Sequence, residues 1–184
     1  MSNRIRIIGG RHRGRRIVVP DAHGLRPTPD RVRETLFNWL GQDLTGASTL
    51  DLYAGSGALT LEAQSRGARL SVAVDRNGDA IKALRGAADT IGMTGVETHV
   101  GDAQPFLGRE TRRFDVVFLD PPFADDPWPA LFTALTPRLA SGGRIYAEAA
   151  GRLDAPAGFE VVRHGRAGAV HYHLLALASP AAKT

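Results

Sequence analysis

Short apolar runs of strand length alternate with segments of helical periodicity along most of the chain, and this alternation limits the possible folds more than any other feature. Runs at 49–53, 70–75, 96–100, 115–119 and 144–149 read as buried strands. Helical patterns lie between them at 57–66, 79–91 and 128–140. In the second, Ile81, Leu84, Ala88 and Ile91 share one side and Gly92 ends it, while Thr136-Pro137 breaks and restarts the third. An earlier helix is expected from Thr28 as cap and Pro29 at its first position, with Val32, Leu36, Trp39 and Leu40 on one face before Gly41. Such alternation gives a parallel sheet covered on both faces. Two segments depart from it. Residues 159–163 and 170–177 alternate about a glycine turn at 165–168 and predict an antiparallel hairpin closing the sheet. Residues 5–8 and 15–19 flank Gly9-Gly10-Arg11-His12-Arg13-Gly14 and predict a small basic hairpin, followed by a loop at 20–27. The expected division is an N-terminal hairpin extension, 1–27, and an α/β body, 28–184.

In a doubly wound sheet, ligands bind beyond the carboxyl ends of the strands, where the strand order reverses. Four acidic residues fall at such ends. Asp51 opens Asp51-Leu52-Tyr53-Ala54-Gly55-Ser56-Gly57-Ala58, a strand–glycine turn–helix succession that presents backbone N–H groups to a nucleotide-like ligand. The turn is not the dinucleotide fingerprint, since Thr60 occupies the third glycine position. An acid inside the strand suits a cationic amino-acid moiety of the kind found in S-adenosylmethionine. Asp75 ends the next strand, where a carboxylate can accept from both ribose hydroxyls. Asp102, between Gly101 and Ala103, can accept from an adenine amine. Any one of these could be a solvated turn residue; four in succession predict a pocket.

The fourth is Asp120, in Asp120-Pro121-Pro122-Phe123. Each proline fixes φ and lacks an N–H, so the segment can join neither ladder nor helix and its carbonyls point outward. A carboxylate, outward carbonyls and a flat ring are the parts needed to hold a nucleobase by its exocyclic amine and stack on its face.

Charge narrows the partner. Residues 1–33 carry nine arginines against Asp21 and Asp30, an excess of seven, whereas the whole chain is only +4 and residues 34–184 carry −3. Arginine dominates the basic residues throughout, so position carries the signal more than residue type. A basic lobe on a mildly acidic body is the footprint of a polyanion binder. There is no cysteine, which excludes disulfides, thiolate-bound zinc and pyrimidine C5 methylation through a cysteine adduct. None of the six histidines has metal-ligand spacing, and His171-x-His173 reads as a solvated or RNA-facing pair at strand period. No apolar run approaches a membrane span and residues 1–4 offer no apolar leader, so a cytoplasmic protein is expected.

Taken with their flanks, these segments resemble the class I S-adenosylmethionine-dependent methyltransferases and, more narrowly, the bacterial RsmD family. The matching stretches are Arg4-Ile5-Arg6-Ile7-Ile8-Gly9-Gly10, Gly24-Leu25-Arg26-Pro27-Thr28-Pro29-Asp30-Arg31-Val32-Arg33-Glu34-Thr35-Leu36-Phe37-Asn38-Trp39-Leu40, the glycine turn from Leu50 to Leu59, and Phe114 through Phe123. The resemblance covers nearly the whole length and is weak at 124–140. It implies a Rossmann-like, mostly parallel methyltransferase sheet and methylation of a guanine N2 amine in small-subunit 16S rRNA, free or in the small ribosomal subunit. It implies S-adenosylmethionine bound by Asp51, Ala54, Gly55, Ser56, Gly57, Asp75, Arg76, Asp102 and Ala103, with no metal. Asp120, Pro121, Pro122 and Phe123 would hold the base. Arg11, Arg13, Arg15, Arg16, Arg26, Arg31 and Arg33 would meet RNA, and the protein would act as a monomer. Two alternatives stay open: a DNA adenine N6 methyltransferase sharing the same loop, and a non-catalytic RNA-binding assembly factor.

Overall fold

The computed structural model describes residues 3–19, 28–122 and 127–178. Two strands come first, β1 (Asn3–Arg6) and β2 (Arg16–Val19), paired antiparallel. The body follows as α1 (Asp30–Trp39), β3 (Ser48–Asp51), α2 (Ala58–Ser65), β4 (Leu70–Asp75), α3 (Gly78–Ile91) and β5 (Val96–Val100). It continues with α4 (Ala103–Arg109), β6 (Phe114–Leu119), α5 (Trp128–Leu135), a 3-10 turn (Thr136–Arg138), β7 (Leu139–Ala149), β8 (Phe159–Ala167) and β9 (Val170–Leu177).

Seven strands form one sheet in the order β5-β4-β3-β6-β7-β9-β8. β3 to β7 pair in parallel, and β9 pairs antiparallel with both β7 and β8. The chain leaves β3 toward one edge and returns at β6 on its other side, so the strand order reverses between these two. Period-2 alternation splits the apolar residues between two faces. Val117, Leu119, Ile145, Ala147 and Leu175 pack with Phe106, Leu107, Leu131 and Phe132 of α4 and α5. Val116, Phe118 and Tyr146 face the other way, onto Leu36 and Phe37 of α1 and Leu59 of α2.

The N-terminal hairpin packs on this second side. Ile7 and Ile17 are buried against Leu61, Ala73 and Leu84. Its turn is bonded to α2: Ile8 N–H and Gly9 N–H donate to the Glu62 carboxylate at 2.9 and 2.8 Å, and Arg11 N–H to the Ser65 carbonyl at 2.7 Å. Gly10 has φ +73°, and a Cβ there would lie 1.8 Å from the Ser65 carbonyl oxygen, so only glycine allows the approach. Among the described residues, no helix is long and apolar enough to cross a membrane.

Several local expectations are corrected. Thr28 does not cap α1; Pro29 is the cap residue, and the Thr28 hydroxyl instead donates to Glu148, 120 residues away. The third expected body helix, at 128–140, stops at Leu135. The 3-10 turn takes up Pro137, and Leu139 already begins β7 by pairing with Phe114, with an irregularity before Val116 re-registers the strand. Helix α4 was not expected; Pro105 lies in its first turn, where a missing N–H costs nothing. His173 is not solvated: it is fully buried, its Nε2 accepts from Leu153 N–H at 3.1 Å, and burial lowers its pKa to about 4.

Candidate active site

Five carboxylates stand at the carboxyl ends of five adjacent strands: Asp102 after β5, Asp75 on β4, Asp51 on β3, Asp120 after β6 and Glu148 on β7. The first four were expected from sequence. Glu148 was missed, because an acid inside the run Tyr146-Ala147-Glu148-Ala149 has no turn motif beside it.

Asp51 is 4 % exposed. The Thr60 hydroxyl of α2 donates to it at 2.8 Å, but burial dominates and pushes its pKa up to about 7, with the neighbouring charge of Asp75 adding to the effect. Asp75 accepts Gly55 N–H on one oxygen at 2.7 Å and Asn77 N–H on the other at 2.8 Å, which ties the glycine loop to the end of β4. Gly57, at φ +76°, turns the chain into α2 so closely that a Cβ would meet the Leu84 side chain at 2.2 Å. Ala54 and Gly55 are buried there and Ser56 is partly exposed. Asp102 precedes α4 with an exposed side chain that bonds no helix N–H, Ala103 is buried behind it, and Arg76 is exposed after β4. Val100, 63 % exposed, adds an apolar surface at the end of β5 beside Gly78 that the sequence did not flag.

Asp120 accepts no hydrogen bond from any described residue. Burial, the charge of Glu148 and that of Asp51 push its pKa up to about 8. Pro121 is buried behind it and Pro122 exposed. Glu148 is 5 % exposed and takes the Tyr146 hydroxyl at 2.8 Å and the Thr28 hydroxyl at 3.2 Å. Burial raises its pKa too, against those two donors. Phe123 and Arg26 lie outside the described residues.

The expected arginines separate. Arg11, Arg13, Arg15, Arg16 and Arg31 are exposed. Arg33 is a correction: it is 1 % exposed, its guanidinium donating to Asp30 at 2.6 Å, the Arg6 carbonyl at 2.9 Å and Glu62 at 3.4 Å, so it cannot reach a phosphate. It holds α1, α2 and the hairpin together.

The reversal of strand order between β3 and β6, with a glycine turn on one side and Asp-Pro-Pro on the other, defines a class I methyltransferase fold. Among solved structures, "Putative methyltransferase yhhF" from Escherichia coli superposes with a TM-score of 0.85 at 38 % identity, over 94 % of this chain and 97 % of that one. A "putative sam-dependent methyltransferase" from Streptococcus mutans shares the fold alone, with a TM-score of 0.71 at 15 % identity over 87 % of this chain and 52 % of that one. The family model described as conserved hypothetical protein 95 matches residues 5–176. The chain is also 39 % identical over 178 residues to the ribosomal RNA small subunit methyltransferase D of Escherichia coli (strain K12), spanning 94 % of this chain and 90 % of that protein. The chain belongs to the RsmD family.

Proposed function

We propose that the protein methylates the exocyclic N2 amine of a guanine in 16S rRNA, by direct in-line transfer from S-adenosylmethionine and with no covalent intermediate on the protein. One observation carries this reading: Asp120, half-buried and without a donor among the described residues, stands at the reversal point just before two prolines. Family membership supports rRNA as the acceptor class.

The residues present fit the methyl donor. Burial and the nearby charge of Asp75 make Asp51 costly to ionise, and a cationic ligand relieves that cost. Asp51 would face the amino-acid portion, the Gly55–Gly57 turn its backbone side, Asp75 the ribose and Asp102 the adenine amine, with Val100 against the ring. When bound, S-adenosylmethionine supplies a methyl group on a cationic sulfur. The chain's own contribution is to aim the acceptor. An aryl amine is a poor nucleophile because its lone pair is delocalised into the ring. Accepting its two N–H bonds on the Asp120 carboxylate and the Pro121 carbonyl turns the nitrogen toward tetrahedral geometry. The carboxylate is also placed to take the proton the nitrogen loses. Alignment and electrostatic match then supply most of the acceleration. Phe123 would stack on the base, which must leave its helix or come from an unstacked loop.

The direct test is to incubate the protein with labelled S-adenosylmethionine and small-subunit RNA or particles from a strain lacking it, then map the label. Label on a guanine N2 is expected; label on another base, or none, ends the proposal. Two further outcomes are expected. Asp75→Ala should raise the dissociation constant for S-adenosylmethionine by about 10-fold or more in calorimetry, through the lost hydroxyl acceptor and the loosened glycine loop; an unchanged constant would remove the ribose assignment. Replacing Arg11, Arg13, Arg15 and Arg16 together by Gln should weaken RNA binding and flatten its salt dependence, the slope falling by about one for each phosphate left without its arginine. If slope and affinity both stay put, RNA docks elsewhere.

A further inference from the structure

We propose that Glu148 is a specificity residue that accepts the ring N1–H of the target guanine while Asp120 accepts from its amine; this rests on the guanine-N2 reading above. The pairing of Phe118 with Tyr146 and of Leu119 with Ala147 carries the two strands forward in step, so Asp120 and Glu148 follow side by side on the same face of the sheet. The Tyr146 and Thr28 hydroxyls both donate to the same oxygen of Glu148, Oε1, and among the described residues nothing donates to Oε2. The carboxylate is therefore held at one oxygen and open at the other, next to a second carboxylate that is open at both.

Two neighbouring acceptors match an edge with two neighbouring donors. Guanine has that edge, an amine N–H beside the ring N1–H. In adenine and cytosine the amine adjoins a ring nitrogen that carries a lone pair, which would face a buried carboxylate across a few ångströms. A buried acceptor left unmatched rejects a ligand strongly, because neither group regains its hydrogen bond to water. Burial raises the pKa of both acids, and a ligand that brings a donor to each offsets the cost of keeping them charged.

The probe is small-subunit RNA carrying either guanine or 2-aminopurine at the mapped position. 2-Aminopurine keeps the N2 amine but has a lone pair at N1. Wild-type protein should favour guanine in kcat/KM by about 100-fold or more. In Glu148→Gln the Tyr146 and Thr28 hydroxyls retain the amide oxygen, so the amide NH2 takes the place of Oε2 and offers a donor where an acceptor stood. The preference should then fall at least about 10-fold, through loss on guanine and gain on 2-aminopurine. Glu148→Ala, assayed with its melting curve, should also narrow the ratio by slowing guanine more than 2-aminopurine. Equal losses on both RNAs in both variants would mean Glu148 serves packing alone and would overturn the proposal. Wild-type label on an atom other than guanine N2 would instead remove the underlying reading, and this proposal with it.

Discussion

Asp120→Ala should cut methyl transfer to rRNA by at least about 100-fold while leaving S-adenosylmethionine affinity nearly unchanged, because the role proposed for the side chain is to position the acceptor and not the donor. The isosteric Asp120→Asn should be similarly impaired and also more stable than the wild type. A carboxyl group whose pKa rises from near 3.8 in the unfolded chain to about 8 in the fold binds its proton more tightly when folded. Between those values the native state holds more protons than the unfolded state, so the stability this residue contributes falls as pH rises from about 4 to about 8. Asparagine has no such penalty. Its advantage should be small near pH 4 and largest at pH 8 and above, on the order of 5 °C in melting temperature, since about 1 kcal/mol shifts a domain of this size by roughly 2–4 °C. Activity close to wild type would refute the positioning role. A melting curve for the asparagine variant that tracks the wild type at every pH would refute the electrostatic one. Lost activity together with gained stability in the asparagine variant would describe a site that gives up stability for function.

Glu62→Ala should be the most damaging substitution away from the cleft. This carboxylate is fully buried and accepts from Ile8 N–H, Gly9 N–H, the Arg33 guanidinium and, at 2.9 Å, the Arg66 Nε–H. Removing it leaves the buried Arg33 guanidinium with Asp30 as its one remaining carboxylate, takes the carboxylate from Arg66, and leaves two backbone donors of the hairpin turn unmatched. Breaking a buried pair by deleting one partner costs about 3–5 kcal/mol, hence roughly 10 °C in melting temperature. Circular dichroism melts would check it. A loss under about 1 kcal/mol would show that the hairpin is held by its apolar packing at Ile7 and Ile17 instead.

Much of the cleft was legible in the chain because each expected acid sits where a local pattern changes. Asp51 precedes a glycine turn, Asp75 and Asp102 stand where an apolar run meets a helix start, and Asp120 precedes two prolines. What could not be read depends on partners distant in sequence. Glu148 gains meaning only from its register beside Asp120. Thr28 has the local signature of a cap, yet its hydroxyl points across the fold to that same glutamate. Arg33 looks like one more arginine in a basic segment until Glu62, 29 residues on, encloses it. Period 2 correctly placed His171 and His173 on one face of a strand, but the neighbouring strands decide how deep each lies. At 128–140 the fitted helical period hid a change of element, because Leu139 is equally good as the end of a helix or the start of a strand.

The eight residues of α2 carry both Thr60, which grips Asp51, and Ser65, which grips the arginine-bearing turn. At 1.5 Å per residue these two anchor points stand about 7.5 Å apart along one rigid rod. A polynucleotide that settled on that turn would sit at a fixed offset from Asp51, and the rod would serve as a ruler for how far a reactive base must swing outward.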